Sequence, residues 1–130
     1  MITRRTLFVT AALAVLPATA LALSPGNKPF NQAQFDAAQA AGRPILVEVT
    51  APWCSVCKAQ APILSRLKSD PKFKDMVAFE IDFDSQKDLL RKLNVRSQST
   101  LIVFKGKTEL GRSTGDTNPA SIAALLGKAV

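Results

Sequence analysis

The apolar residues downstream of residue 31 recur with two different spacings, and these spacings predict alternating helices and strands. Across residues 77–83 every second residue is apolar and acidic residues fill most other positions, which predicts a strand with one buried face. Residues 45–50 are almost continuously apolar, as in a central strand buried on both faces. The predicted order is helix, strand, helix, strand, helix, strand, strand, helix, at residues 32–41, 45–50, 54–68, 77–83, 86–93, 100–104, 109–113 and 119–129.

Capping residues and prolines support the ends of these helices. Asn31 is expected to cap the first helix, and Gly42 is expected to end it. Asn118 is expected to cap the last helix, with Pro119 at its first position. Pro62 falls inside the helix at 54–68, and because proline has no backbone N–H, a kink is predicted there.

The order of elements predicts an α/β fold with a mixed central sheet of four to five strands and helices on both faces. Strands separated by a helix are expected to run parallel through right-handed crossovers, whereas the last two strands should form an antiparallel hairpin. Functional residues in such sheets usually follow the carboxyl ends of parallel strands. The segment Trp53-Cys54-Ser55-Val56-Cys57 occupies this position, after the strand at 45–50.

The first 22 residues have the pattern of a cleavable signal peptide. A short basic start precedes an apolar run at residues 7–16 and small residues that fit a cleavage site. A membrane anchor is the alternative, but Pro17 interrupts the run well short of the ~20 residues that span a bilayer. Residues 23–30 are predicted to be a flexible leader and residues 31–130 a single domain, with no stable membrane insertion after cleavage.

The start of this segment, with Arg4 and Arg5 before Leu7-Phe8, resembles a twin-arginine signal, although a Sec signal also tolerates two arginines. Either route predicts an exported protein, in a bacterium a periplasmic one, where disulfides can persist. Loss of the two arginines lowers the formal charge from +7 to +5. The basic residues that stay are scattered, so nucleic acid is not an expected partner.

Cys54 and Cys57 are the only cysteines, and their spacing fits a structural disulfide, half of a metal site, a haem attachment point or a redox pair. Haem attachment requires histidine at position 58, which is lysine, and the chain contains no histidine. Zinc would lack two of its four ligands unless two subunits share the metal. A structural disulfide closing so short a loop would stabilise little. A redox pair is therefore favoured, with no metal or cofactor expected.

The position of the pair suggests different roles for the two thiols. Cys54 lies at a predicted helix N-terminus, where unpaired amides and the helix dipole stabilise a thiolate. Cys57 lies one turn further into the helix and is expected to be more buried and to stay protonated to a higher pH. Cys54 is therefore predicted to attack a disulfide, and Cys57 to resolve the mixed disulfide.

The motif from Ala51 to Lys58, APWCSVCK, resembles the W-C-x-x-C-K signature of the thioredoxin family. The resemblance extends over most of residues 31–130 and is strongest to periplasmic thioredoxin-like domains, such as the C-terminal domain of the transmembrane reductase DsbD. It implies that Trp53 shields the disulfide and contacts substrates, unless Trp53 is a core aromatic. It also implies that Glu48 is a buried acid with a raised pKa that shuttles protons for Cys57, unless Glu48 is solvated.

Two departures from the family pattern affect the site. Ser55 and Val56 replace the Gly-Pro of ordinary thioredoxins between the cysteines and are expected to tune the redox potential. Ser99 stands where the family has a cis-proline, just before Thr100, and both residues are assigned to substrate binding by the resemblance. A cis bond before a non-proline residue costs ~2.5–4 kcal/mol, so a trans bond after Gln98 is predicted. The Ser99 hydroxyl could then hydrogen-bond the Cys54 thiolate.

The function predicted from the sequence is that of an exported thiol–disulfide oxidoreductase that reduces disulfide-containing proteins through Cys54 and Cys57. The reducing direction follows from the resemblance, because strongly oxidising relatives commonly have histidine between the cysteines. A reductant outside the cytoplasm needs an electron source, so a membrane-embedded thiol donor is expected. The alternatives are a disulfide oxidase or isomerase, and a redox-inert module that binds a partner.

Overall fold

The computed structural model describes residues 27–130, so the signal-peptide prediction and most of the predicted leader lie outside the described residues. These residues form a five-stranded sheet with helices on both faces, the predicted fold class. The strands are β1 (Asn27–Pro29), β2 (Pro44–Thr50), β3 (Val77–Asp82), β4 (Thr100–Lys105) and β5 (Thr108–Thr114). The helices are α1 (Gln32–Ala40), α2 (Ser55–Lys68), α3 (Lys87–Lys92) and α4 (Pro119–Gly127), with a 3₁₀ turn at Pro71–Phe73.

The predicted caps are present at the helix ends. The Asn31 side chain accepts the Gln34 amide at the start of α1. The Asn118 side chain accepts two amides at the start of α4, and Pro119 occupies the first turn. Pro62 lies inside α2 as predicted, where it cannot donate a backbone hydrogen bond.

The order of the sheet is β1-β3-β2-β4-β5. β1, β3 and β2 run parallel, while β4 is antiparallel to both β2 and β5. The prediction that a helix between two strands makes them parallel is therefore wrong for β3 and β4. The Ser99 amide, directly before β4, bonds the Val49 carbonyl near the carboxyl end of β2. The connection through α3 therefore returns the chain to the same end of the sheet, and β4 must run back.

The predicted leader is wrong for residues 27–30. Asn27–Pro29 pairs with β3 as a parallel edge strand, and the Phe30 amide donates to the Glu80 carbonyl at 2.9 Å. The Phe30 ring packs against Phe35 and Phe79, with centroids 5.1 and 5.7 Å away. Three strand residues are too few to show a hydrophobic period, so this strand is defined by its pairing with β3 and not by a local pattern.

Two apolar layers cover the faces of the sheet. One layer lies under α1 and α3 and includes Ile45, Val47 and Val49 of β2. The other lies under α2 and α4 and includes Leu46 of β2. Since side chains alternate along a strand, Glu48 shares the face of Leu46 and points toward α2, the helix that carries the cysteines. Within residues 27–130 no helix is long and apolar enough to cross a bilayer.

Candidate active site

Cys54 and Cys57 form a disulfide at the N-terminus of α2, with their Cα atoms 5.3 Å apart. Cys54 is the N-cap residue of this helix, and its Sγ accepts the Cys57 amide at 3.1 Å. The Cys57 Sγ lies 3.9 Å from the Val49 carbonyl oxygen of β2. The pair thus lies at the carboxyl end of a central parallel strand, as the sequence predicted.

The expected difference in burial between the two cysteines is wrong for this disulfide-bonded structure. Cys54 is 2% exposed and Cys57 is 8% exposed, so Cys54 is not the more accessible residue. Both pack with Ala51, and the partly buried Val56 and Phe83 cover them. The helix N-terminus therefore remains the physical basis for a Cys54 thiolate, and exposure does not contribute.

Ser55 and Val56, the predicted tuning residues, lie in different surroundings. Ser55 is exposed, whereas Val56 is partly buried against the disulfide. Val56 therefore contributes apolar surface beside the sulfur atoms, and apolar surroundings disfavour charge on a thiolate. Their effect on the redox potential stays a prediction.

Trp53 is an exposed aromatic residue beside the disulfide, so the alternative of a core aromatic is excluded. It is 58% exposed, and its Nε1 donates to Asp84 Oδ2 at 2.8 Å. Its ring meets the Phe83 ring edge to face, with centroids 6.4 Å apart, and Lys87 Nζ lies 3.9 Å from the Phe83 centroid. Sequence reasoning missed Asp84 and Lys87 as partners of this surface, because only the fold brings them next to the cysteines.

Glu48 is a buried carboxylate, 3% exposed, which excludes the solvated alternative. Its Oε2 accepts a hydrogen bond from Lys68 Nζ at 2.6 Å. Burial raises the pKa of Glu48 above its usual value, and the charge of Lys68 opposes this rise. Among residues 27–130 the structure records no hydrogen bond from Glu48 to either cysteine, so the proton-shuttle role stays a prediction.

Glu48 belongs to a polar network that the sequence did not reveal. Glu48 of β2 lies beside Glu80 of β3 in the parallel register, so two carboxylates share one face. Lys68 Nζ also bonds Asn27 Oδ1, and Asn27 Nδ2 donates to Glu80 Oε2 at 3.0 Å. Thr50 Oγ1 donates to the other oxygen of Glu80 at 3.0 Å. No sequence signal identifies Lys68, because the two carboxylates lie side by side only through the pairing of β2 with β3.

The peptide bond between Gln98 and Ser99 is trans, since residues 27–130 contain no cis peptide bond, and this prediction is confirmed. Ser99 has φ of 58°, in the left-handed region that L-residues rarely adopt. Its amide donates to the Val49 carbonyl at 2.8 Å. Its hydroxyl donates to the Gln98 carbonyl at 2.6 Å, so here it bonds the backbone and not the Cys54 sulfur that the sequence suggested.

Ser99 and Thr100 are both buried, and their hydroxyl groups have partners within the protein. Thr100 Oγ1 donates to the Ser97 carbonyl at 2.8 Å and lies 3.1 Å from Thr114 Oγ1. The two residues therefore shape the turn beside the disulfide, and their predicted contact with substrate stays a prediction. Gln60 of α2, which the sequence analysis did not single out, also bonds this turn.

No group of three or more histidine, cysteine, aspartate or glutamate side chains that could hold a metal ion occurs in residues 27–130.

A disulfide between a helix N-cap and the residue three positions on, at the carboxyl end of a parallel strand, defines a thiol–disulfide oxidoreductase of the thioredoxin fold.

Comparison with known proteins leads to the same class. The profile of the family described as Thioredoxin matches residues 27–128. Thioredoxin-2 of Saccharomyces cerevisiae is 32% identical over 101 residues, which cover 77% of this chain and 94% of the yeast protein. Thioredoxin Asp f 29 of Aspergillus fumigatus is 34% identical over 82 residues, covering 63% of this chain and 74% of the fungal protein.

A solved structure is similar over the same region. The crystal structure of Trxlp from Edwardsiella tarda has a TM-score of 0.75 and 41% identity to this chain, covering 77% of this chain and 97% of Trxlp. The chain belongs to the thioredoxin family, and its Cys54 and Cys57 pair is the redox centre that this family uses for thiol–disulfide exchange.

Proposed function

We propose that this protein is exported and that it reduces disulfides in other proteins, in the manner of the periplasmic thioredoxin-like domains that its motif resembles. The observation that carries the proposal is the Cys54 sulfur at the N-cap of α2, where it accepts the Cys57 amide at 3.1 Å. An amide donor and the positive end of a helix dipole stabilise a thiolate, the attacking species in thiol–disulfide exchange.

The reaction begins with the reduced protein. The Cys54 thiolate attacks one sulfur of the substrate disulfide, a mixed disulfide forms, and the first substrate sulfur leaves as a thiolate that takes up a proton. Cys57 then loses its proton and attacks the Cys54 sulfur, which releases the second substrate thiol. Two electrons pass to the substrate, and Cys54 and Cys57 end as the disulfide seen in this structure.

Two groups are suited to control the proton of Cys57. The Val49 carbonyl, 3.9 Å from the Cys57 Sγ, can accept a hydrogen bond from the Cys57 thiol of the reduced protein and so favours the neutral form of Cys57. Burial raises the pKa of the Glu48 carboxyl above its usual value, which suits a group that accepts a proton and later releases it. Glu48 is the β2 residue directly before Val49, and its side chain lies on the face of the sheet toward α2.

A catalytic reductant must itself be reduced again after each turnover. Outside the cytoplasm the glutathione and thioredoxin systems that keep thiols reduced are absent. We therefore propose a membrane-embedded thiol protein as the electron donor. Export is supported by the basic and apolar segment at residues 1–22, and the reducing direction by the absence of histidine between the cysteines.

The experiment that tests the proposal measures insulin reduction by the protein without residues 1–22 and by its Cys54→Ser variant. Wild type should turn over with dithiothreitol as electron donor, and Cys54→Ser should not exceed the uncatalysed rate. The equilibrium of the cysteine pair with glutathione gives the direction of the reaction: a potential of about −270 mV supports a reductant, and one of about −120 mV supports an oxidase. If the wild-type protein does not turn over, the remaining candidate function is a redox-inert module that binds a partner.

Export is tested separately with the full chain. We expect a shortened product outside the cytoplasm of a bacterial host. Replacement of Arg4 and Arg5 by lysine distinguishes the routes, because only twin-arginine transport should fail. A full-length product retained in the cytoplasm with wild-type residues 1–22 would contradict export.

A further inference from the structure

Gln60 is a buried polar residue on the helix that carries the disulfide. It lies three residues after Cys57 in α2 and is 2% exposed. Its Nε2 donates to the Asp116 carbonyl at 2.8 Å and to the Ser99 carbonyl at 3.2 Å. Both N–H groups of the amide thus bind carbonyl oxygens of two loops that are distant from α2 in sequence. Such a group is costly to bury without partners, so its two bonds fix the positions of both loops relative to α2.

The turn at residues 97–99 adopts a conformation that needs this support. Ser99 is in the left-handed region, with φ of 58°, where a residue with a side chain is disfavoured. Its amide is held by the Val49 carbonyl at 2.8 Å, and its carbonyl is held by the Gly115 amide at 3.0 Å and by Gln60. The carbonyls of Ser97 and Gln98 accept hydroxyl groups of Thr100 and Ser99.

Three consecutive carbonyl groups of this turn are therefore occupied by donors within the protein. A substrate that approaches the turn meets a surface whose shape is fixed by these bonds. Of the donors, only Gln60 extends from α2, the helix that also carries both cysteines. The link to the reactive sulfurs is short, because the Val49 carbonyl accepts the Ser99 amide and lies 3.9 Å from the Cys57 Sγ.

We propose that Gln60 is a positioning residue that fixes the turn at residues 97–99 and the loop at Asp116 beside the disulfide, and thereby forms the surface on which a protein disulfide docks. This inference rests on the proposed thiol–disulfide exchange and identifies the part of that site that recognises a large substrate. The chemistry itself belongs to Cys54 and Cys57, so loss of the Gln60 amide should act on KM more than on kcat.

The test compares Gln60→Met, which keeps the length of the side chain but has no donor, with Leu64→Val. Leu64 is buried one turn further along α2, in the apolar layer under α2 and α4, and so controls for a general loss of packing. With insulin as substrate, Gln60→Met should raise KM about tenfold, the effect expected when one buried and one part-buried carbonyl each lose a donor. Its kcat should change less than its KM, and Leu64→Val should keep the wild-type KM. An unchanged KM in Gln60→Met, or an equal rise in Leu64→Val, would overturn the proposal.

Amide hydrogen exchange reports on the same residue without any turnover. The Ser99 and Gly115 amides, whose bonds hold the turn, should exchange about tenfold faster in Gln60→Met than in wild type, and at the wild-type rate in Leu64→Val. Unchanged exchange at both amides would overturn the inference alone. A wild-type protein that fails to reduce insulin would instead overturn the proposed function, so the two failures are distinguishable.

Discussion

Lys68 Nζ lies 2.6 Å from Glu48 Oε2, in a position where both side chains are largely removed from solvent. Lys68 belongs to the last turn of α2 and Glu48 to the middle of β2, so this ion pair fixes the end of the helix whose other end carries the disulfide. Removing a charged pair from water is costly, and the cost is repaid only when additional hydrogen bonds complete the site. Asn27 supplies such a bond, since its side chain binds both Lys68 and Glu80.

Lys68→Met should raise the pKa of Glu48 further, because burial already raises it and the Lys68 charge is the largest effect that lowers it. A carboxyl whose pKa is higher in the folded than in the unfolded state stabilises the folded protein fully only below the unfolded pKa of 4.5. This contribution is lost as the pH rises from there through the folded-state pKa. The variant should therefore be near wild type in acid and lose ~3 kcal/mol above the folded pKa, where an unpaired carboxylate is buried.

Urea unfolding from below pH 4.5 up to pH 9, together with carbon NMR titration of the Glu48 carboxyl, measures both effects. Arg91→Met is the matched control, because Arg91 pairs with Asp88 on the exposed face of α3. Its unfolding free energy should follow the pH dependence of wild type. A Glu48 pKa in Lys68→Met that equals or falls below the wild-type value would contradict the prediction.

Glu48→Gln tests the proton-shuttle role. The substitution removes the acceptor but keeps the shape, so release of the mixed disulfide should slow by about 100-fold, near the lower end of general-base effects. The initial attack by Cys54 should stay near the wild-type rate. Single-turnover kinetics with a chromogenic disulfide separate the two steps, and Glu109→Gln, on the exposed part of β5, serves as control. Unchanged turnover of Glu48→Gln from pH 6 to 9 would make Glu48 a structural residue.

Cys54 should be the first cysteine to react in the reduced protein. Its sulfur accepts the Cys57 amide at the helix N-terminus, which should hold the pKa of the Cys54 thiol below the ordinary value of ~8.5. Burial acts in the opposite direction, so the helix terminus must dominate for the prediction to succeed. Alkylation at pH 6 followed by mass spectrometry should label Cys54 before Cys57. The Cys57→Ser variant, which retains Cys54, should keep the same labelling rate, and faster labelling of Cys57 in wild type would reverse the assigned roles.

The sequence predicted those features that depend on local pattern. Alternation at residues 77–83 and capping at Asn31 and Asn118 correspond to observed elements, because side-chain period and cap chemistry are properties of neighbouring residues. The direction of β4 was mispredicted, since a helix between strands does not reveal to which end of the sheet the chain returns. The strand Asn27–Pro29 was missed because its partner residues in β3 lie 51 positions further along the chain.

At the site, too, features set by neighbouring residues could be predicted and features set by the fold could not. Cys54 and Cys57 were recognisable because their spacing and the preceding strand are local features. Lys68 and Gln60 were not, because each gains its role only when α2 packs on β2 and on the loops at the end of the sheet. The burial of Cys54 was mispredicted for a related reason. Phe83, which follows β3, packs against Cys54 and reaches the disulfide only in the folded chain.

The left-handed conformation of Ser99 leads to a prediction that separates backbone strain from side-chain chemistry. Glycine adopts φ of 58° without steric cost, so Ser99→Gly should stay within ~1 kcal/mol of wild-type stability, its lost hydroxyl bond being offset by relief of strain. Proline holds φ at about −65° and has no N–H. Ser99→Pro therefore cannot keep the observed turn or the bond to the Val49 carbonyl, and it should lose more than ~1 kcal/mol. Urea unfolding of the two variants measures the difference, and insulin reduction by each shows whether the turn contributes to substrate binding. A Ser99→Pro variant as stable and as active as wild type would show that the turn at residues 97–99 is not needed in its observed form.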